Sequence, residues 1–309
     1  MDTRTHRPDL EMLPVAQRPM YLSDRIFPIL PKAMRQGTQY YQDILTDVVA
    51  QTGRVAGTAP TTNLVADAKT TFNLENDEFI DREEIPDGDI AGLGGLDAAQ
   101  HKAARKAKRA VGNAVEDLTA ANVLANGSVT YTDIGTSLIR AIGLGKDTIM
   151  DREGAGRIAL VISSRLFHLI KTYTEIKTAM AYTGVPITDL ADVRGIRPSQ
   201  VAAALDVDEI LIGNNTQWYN QSATYQTRAA LVALPDPNIE PDEVCQVGRT
   251  LWFSPSGLVP SEPQLYEVHT WFSETELSEM CDARAYAEQH IFNVEHIYGL
   301  AGVDGGPTS

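Results

Sequence analysis

His290, Glu295 and His296 come nearest in this chain to a metal-binding run. Two imidazoles and a carboxylate are the ligands of a hydrolytic zinc centre, which keeps a fourth position open for water. The segment does not spell HExxH, however. It also carries a strand pattern, in which spacings of five and six residues do not converge on one ion. A metal-dependent hydrolase on these residues is the weaker expectation, and satisfied structural histidines are the stronger. His168, on a short helical run with no acidic neighbour, reads as a structural histidine in the same way. IGLGKDT (142–148) looks superficially like a phosphate-binding loop, but Asp147 stands where the magnesium-binding hydroxyl belongs and would repel phosphate. Its glycines fit the end of a helix better. GLGG (92–95) is not GxGxxG and lies in no βαβ unit, so a flexible joint is expected there. Cys245 and Cys281 form neither a CxxC pair nor a disulfide framework and read as two reduced thiols. No GxSxG elbow, catalytic-cysteine signature or convincing pair of carboxylates occurs. Hence no catalytic residue, metal or cofactor is expected.

Two charge clusters remain. Asp81, Glu83, Glu84, Asp87 and Asp89 surround Arg82 without forming a DxDxDG calcium loop. They suit a solvated face, or pairing with basic residues of a neighbouring molecule. His101, Lys102, Arg105, Lys106, Lys108 and Arg109 follow on one helical stretch. They suit contact with DNA, with a scaffolding partner or with an acidic loop of a neighbour, and equally a solvated helix face. No aromatic residue interleaves with them, which disfavours a single-strand-binding surface. The formal net charge is −15, from 26 Lys and Arg against 41 Asp and Glu, so sequence-specific DNA binding is disfavoured. Such a charge keeps a concentrated protein soluble and lets it face packed DNA without gripping it.

The elements that carry these residues follow from pattern. The chain has 309 residues and is 43% hydrophobic, enough for one large domain or two modest ones. No apolar run approaches the roughly 18 residues of a membrane span. MDTRTHRPDLEMLP has no apolar signal region, so a soluble protein made in a cytoplasm is expected. Residues 1–36 read as an arm: Pro8, Pro14, Pro19, Pro28 and Pro31 punctuate apolar anchors such as Leu10, Tyr21, Leu22, Ile26 and Phe27. Deleting residues 1–30 is expected to leave a soluble subunit that assembles poorly. Residues 37–88 read as a long two-stranded excursion, from TQYYQDIL out to a return in KTTFNLENDEFI, with loop chemistry in QTGRVAGTAPTTN. After the breaker IPDGDIAGLGG, Asp97 and Gln100 predict a capping box. Ala103, Ala107, Val111, Ala114, Val115, Leu118, Ala121 and Ala125 then predict one apolar face of a helix over 97–125, about 43 Å long. Asn126-Gly127 is its expected stop. A shorter helix is expected over Thr132–Leu144, then strand RIALVI (157–162), a Ser163- or Ser164-capped helix RLFHLIKTY, a helix from Pro198 to Leu205 and strand DEILIG (208–213). These units imply a mixed sheet flanked by helices. RTLWFSP, QLYEVHTWF and RAYAEQHIFNVEHIYGLAGV read as further strands, with breakers at PSGLVPSEP and a short tail GGPTS.

This order of parts resembles the major capsid proteins of tailed bacteriophages, with the HK-97-like fold. SDRIFPILPKAMRQGTQYY resembles the start of many members, TFNLENDEFIDREEIPD the descending side of the family's extended loop, and AAQHKAARKAKRAVGNAVEDLTAANVL its spine helix. RIALVISSRLFHLI and VAAALDVDEILIGNN resemble elements of its axial domain, and AYAEQHIFNVEHIYGLAGV its closing β segment. The resemblance implies an α+β chain with an N-terminal arm (1–36), an extended β-hairpin loop (37–90), a peripheral domain (91–156 and 271–309) with spine helix 97–125, and an axial domain (157–270). It further implies self-assembly through hexamers and pentamers into an icosahedral or prolate head enclosing double-stranded DNA. Such a shell forms in the bacterial host cytoplasm, ends as the virion capsid and touches no membrane. Scaffolding, portal and cement or decoration proteins are the implied partners. Phe27, Tyr40, Tyr41, Glu83, Glu84, Lys102, Arg105, Lys106, Lys108 and Arg109 are the expected inter-subunit or partner contacts. An encapsulin-like nanocompartment shell is the competing member of the same fold.

Overall fold

The computed structural model describes residues 5–11, 21–29, 36–41, 68–73, 78–125, 129–131, 137–153, 156–182, 196–213, 227–235, 247–253, 266–291 and 294–305. In chain order the elements begin with β1 (Thr5–His6), α1 (Pro8–Glu11), α2 (Ser23–Ile26), β2 (Gln36–Tyr41), β3 (Ala68–Asn73) and β4 (Glu78–Ile85). There follow α3 (Asp87–Gly92), the long helix α4 (Leu96–Ala120) with a π-helical end at Ala121–Ala125, β5 (Val129–Tyr131) and α5 (Leu138–Glu153). Next come β6 (Arg157–Ser163), α6 (Ser164–Ile170), α7 (Thr174–Tyr182), α8 (Pro198–Ala204) and β7 (Glu209–Gly213). The chain closes with β8 (Ala229–Leu234), β9 (Gly248–Phe253), β10 (Glu267–Ser273), β11 (Ser278–Ile291) and β12 (Ile297–Leu300). The loop stretches QTGRVAGTAPTTN and PSGLVPSEP, the stop Asn126-Gly127, residues 132–136, residues 306–309 and Cys245 lie outside the described residues.

One sheet runs β5-β12-β8-β6-β7, with parallel pairs β12–β5 and β6–β7 and antiparallel pairs elsewhere, which is the mixed sheet expected. Strand side chains alternate faces. Ile158, Leu160, Ile162, Leu231 and Ala233 therefore meet α5, α6, α7 and α8 in one core. Ala159, Val161, Ala230, Val232 and Leu234 form a second core with Leu22, Ile26, Phe27, Val123 and Leu124. Thus the arm and the end of α4 cover the second face. β8, all six residues of which are buried, is the middle strand, although AALVAL carries no alternation to announce it.

The other main sheet runs β1-β10-β11-β4, and β9 also pairs with β11. The 14 residues of β11 form its axle. Against one face lie Ala99, Ala103, Ala104, Ala107 and Val111 of α4, meeting Ile85, Val268, Cys281, Ala283 and Ala285. Small side chains on both surfaces let the helix sit close to the sheet, as the Ala-rich stripe implied. Strands β2 and β3 form a separate antiparallel pair, with Tyr40 opposite Lys69 and Tyr41 opposite Ala68. The return predicted over KTTFNLENDEFI is therefore two elements: β3 closes the hairpin, while β4, with Phe79, belongs to the main sheet.

Several local expectations are corrected. No side chain caps α4. Its N-cap is Gly95 at φ 139, preceded by Gly94 at φ 86, backbone conformations that glycine adopts readily. Asp97 and Gln100 instead bind Arg7: its guanidinium donates to Gln100 at 2.5 Å and to Asp97 at 3.1 Å. Ala114, Leu118 and Ala121 are only half-buried, while Ala104, Lys108, Gly112, Glu116 and Ala120 are buried, so the covered face is broader and turned from the predicted line. The breaker before α4 contains α3. Gly143 and Gly145 do not end a helix, because α5 continues to Glu153. A Cβ on Gly145 would stand 2.5 Å from the Tyr298 ring and 2.6 Å from Leu231, so this glycine permits the helix to touch the sheet. The cap Ser163 behaves as expected, its hydroxyl accepting from the Leu166 N–H at 3.2 Å. α7 was not foreseen.

Candidate functional site

The long helix gathers most of the predicted contact residues, and the structure sorts them. Lys102 reaches Asp89 at 2.8 Å and Lys106 reaches Glu83 at 2.5 Å. The acidic and basic clusters thus meet within one chain, because β4 and α4 pack together. The sequence suggested a neighbour's residues for this pairing. Glu84 and Arg82 project to the opposite side of β4, and Arg82 lies over the Trp271 ring at 5.2 Å. Lys108 is buried, with its ammonium 5.5 Å from the Tyr266 ring centre, so it is no part of a solvated basic face. Arg105 and Arg109 are exposed and make no ion pair with another described residue. Phe27 is fully buried in its own subunit's core rather than offered to a neighbour. The side chains of Tyr40 and Tyr41 lie outside the described residues.

Sequence reasoning missed the most constrained charge. Glu116 is 1% exposed, and its two carboxylate oxygens accept from the Leu22 and Ser23 N–H groups, each at 2.9 Å. These donors belong to the first turn of α2, where the backbone lacks partners of its own. Burial pushes the Glu116 carboxyl above its ordinary range, and the bonds from Ser23 and Leu22 draw it part of the way back. The result is a clasp that fixes the arm to the helix. Beside it, a Cβ on Gly112 would lie 3.0 Å from the hydroxyls of Tyr21 and Tyr266. The signal was present in the sequence: Glu116 falls on the buried four-residue line of Ala104, Lys108 and Gly112. Further along, the Gln289 amide donates to Thr119 Oγ1 at 2.5 Å and to the Val115 carbonyl at 3.2 Å, tying β11 to α4.

Candidate chemistry elsewhere resolves into structural pairing. Asp282 is fully buried, with Arg284 at 2.8 Å and His269 Nδ1 at 3.3 Å. Burial opposes its ionisation, yet the neighbouring His269 ring and the bonds from Arg284 outweigh that and hold the carboxyl below its usual range. His290 and His296 are buried as structural histidines are, and burial lowers the His290 pKa. The Glu295 side chain lies outside the described residues. Among the described residues, the group of three that could hold a metal is Asp9, Asp97 and His101. There the Arg7 guanidinium already sits 2.7 Å from Asp9 and 3.1 Å from Asp97 and holds the Asp9 carboxyl down at about 2. His168 is exposed rather than packed inside, on the rim of a cavity of about 370 Å³ floored by Leu166 and Leu169. Among the described residues, no helix is long and apolar enough to cross a membrane.

No family model matches this sequence, and no curated protein matches it. Solved structures do. A phage-related protein from Bordetella bronchiseptica RB50 superposes with a TM-score of 0.66 at 15% identity, over 99% of this chain and 100% of that one. A virus-like particle from Pyrococcus furiosus gives 0.51 at 11% identity, over 94% and 96%. A structure from Mycobacterium phage Che8 gives 0.50 at 12% identity, over 88% and 85%. Such likeness at low identity reports architecture: a long helix against a sheet built on one axle strand, a separate hairpin, and a second mixed sheet flanked by helices. The chain has the HK-97-like fold, as its order of elements had implied.

Proposed function

We propose that this chain is a shell subunit, the major capsid protein of a tailed-phage head. The observation that carries the reading is the end-to-end match, 99% of this chain to 100% of a phage-related protein. The hairpin β2–β3 is consistent with it. It pairs with no other described strand, and an isolated two-stranded hairpin is only marginally stable in water, so a neighbouring subunit is its natural support. The sheet holding β6, β7 and β8, within 157–270, would gather round the five- and six-fold axes, with the long helix and its sheet at the periphery. Closed symmetry multiplies contacts that are individually weak. The subunit's partners would be its own copies in hexamers and pentamers, a scaffolding protein, a portal, a cement protein and DNA held without sequence specificity. Its net charge of −15 suits an inner wall to which DNA does not stick. It would assemble in the host cytoplasm and perform no catalysis.

Expression followed by size exclusion and negative-stain microscopy tests this, with co-expressed scaffolding protein if the chain alone stays small. Closed particles of megadalton mass are expected; a monomer under every condition would overturn the reading. A second reading, an encapsulin-like compartment, is favoured by the likeness to the Pyrococcus furiosus virus-like particle. Recombinant particles filled with a cargo protein, rather than empty or holding DNA, would select it.

A further inference from the structure

Four of the nine large apolar side chains exposed among the described residues lie at one end of the sheet packed on α4. They are Leu93, Leu96, Phe272 and Leu277, exposed by 43, 38, 50 and 76%. Register and chain order lead to this end. Phe272 pairs with Glu279, Glu279 pairs with Ile85, and at Ile85 the chain leaves β4 for α3 and the start of α4. The turn Glu274–Leu277 projects from this end. It carries exposed Glu274 and Glu276, and Leu277 holds a left-handed backbone at φ 52 with its side chain in solvent.

A matching surface exists on the same chain. On the outer face of α4, Lys102 and Lys106 are neutralised by Asp89 and Glu83. Arg105 and Arg109, one helical turn apart, are exposed and make no ion pair with another described residue. In a chain with 41 acidic against 26 basic residues, adjacent guanidinium groups with no described ion-pair partner stand out. Arginine pairs bidentately with carboxylates at interfaces, and its stem covers apolar surface. Such a pair fits a partner that is both acidic and apolar, which describes the Glu274–Leu277 turn.

We infer that the Glu274–Leu277 turn of one copy docks on the Arg105–Arg109 row of a second copy. Glu274 and Glu276 pair with the guanidinium groups, and Leu277 and Phe272 pack along their stems. The contact joins unlike patches, so each copy both gives and receives, as rings and closed shells require. The inference rests on the shell reading and deepens it by naming one of its seams.

Copies carrying Glu276→Cys are mixed with copies carrying Arg109→Cys under assembling conditions and oxidised, with wild type and each single variant alone as controls. A disulfide-linked dimer is expected in the mixture only. No dimer in the mixture, or an equal yield from Glu276→Cys alone, overturns the contact. In parallel, E274R/E276R should lower the assembled fraction roughly tenfold or more, the scale of one lost charge pair, and R105E/R109E in the same chain should restore it. Reversal without effect, or no restoration while both variants melt as wild type does, also overturns it. The two readings separate: particles without the cross-link sink this seam alone, the cross-link without particles sinks the shell reading alone, and neither sinks both.

Discussion

The sheet containing β6, β7 and β8 is sandwiched between apolar side chains on both faces. The sheet built on β11 instead sits among buried Lys108, Glu116, Arg249, Asp282, Gln289 and His290. The first is held by area removed from water, a non-directional force that tolerates any well-shaped apolar filling. The second is held by small residues at close range and by charges that have few acceptable partners. A buried charge is costly to leave unpaired, so this half specifies where the arm, helix and sheet dock more narrowly than apolar contact could.

The largest test of this contrast is removal of the arm. Leu10, Leu22, Ile26 and Phe27 are each 0–2% exposed in cores of their own subunit. At about 1.5–3 kcal/mol for each large apolar side chain, their loss rivals the roughly 5–15 kcal/mol that holds a typical protein folded. Deleting residues 1–30 should therefore leave an insoluble or molten chain. That corrects the expectation of a soluble subunit that merely fails to assemble; soluble yield and near-ultraviolet dichroism distinguish the outcomes. Next, Glu116→Ala strands the Leu22 and Ser23 N–H groups, each worth about 1–3 kcal/mol when buried unpaired. Urea melts should register the loss, and amide exchange should quicken first at residues 21–27.

In the apolar half the paired glycines of α5 give a smaller effect of two signs. Gly145→Ala should destabilise by about 1–3 kcal/mol, because its Cβ meets the Tyr298 ring. Gly143→Ala, with nothing within 4 Å of its Cβ, should stabilise by about 0.5–1 kcal/mol. Equal shifts in Tm would break the packing argument.

The polar half should also show its charges in pH dependence. The Glu116 pKa is raised above its unfolded value of 4.5, so the stability tied to it is present below that pH and is lost as pH rises through the folded value. The Asp282 pKa is lowered below 3.8, so its contribution is present above that pH and is lost as pH falls through the folded value. Glu116→Gln should flatten the decline on the alkaline side, and Asp282→Asn the decline on the acid side, in urea midpoints measured across pH. Leu277→Gly, comparable in size to Gly143→Ala, should stabilise the subunit by about 1 kcal/mol by relieving the left-handed backbone, while weakening assembly if the turn is a seam.

Legibility followed the same division. RIALVI, DEILIG, the Ser163 cap and the Pro198 helix were readable because their signals are local: apolar runs, a capping hydroxyl, a proline at a first turn. AALVAL is an apolar run of the same kind, but what makes it the middle strand is its pairing with β6 and β12, both remote in sequence. The capping box at Asp97 was misread because Arg7, 90 residues away, claims both of its members. Gly143 and Gly145 looked like a helix end because the Tyr298 ring that requires a glycine is remote in sequence. Phe27 and Lys108 looked available to a partner because nothing nearby in sequence shows what buries them.

By itself, then, the sequence determined the main run of elements, the length and Ala-rich stripe of the long helix, and the absence of any recognised catalytic signature. Those depend on periodicity and composition within a few turns of chain. Only the tertiary structure decided which charges are spent inside the subunit. Lys102 and Lys106 are matched to Asp89 and Glu83, Glu116 to the arm and Asp282 to Arg284, while Arg105 and Arg109 are left facing outward. The physical reason is that an ion pair or a buried carboxylate is defined by distance in space, and the partners here are brought together by packing of the helix against strands far along the chain.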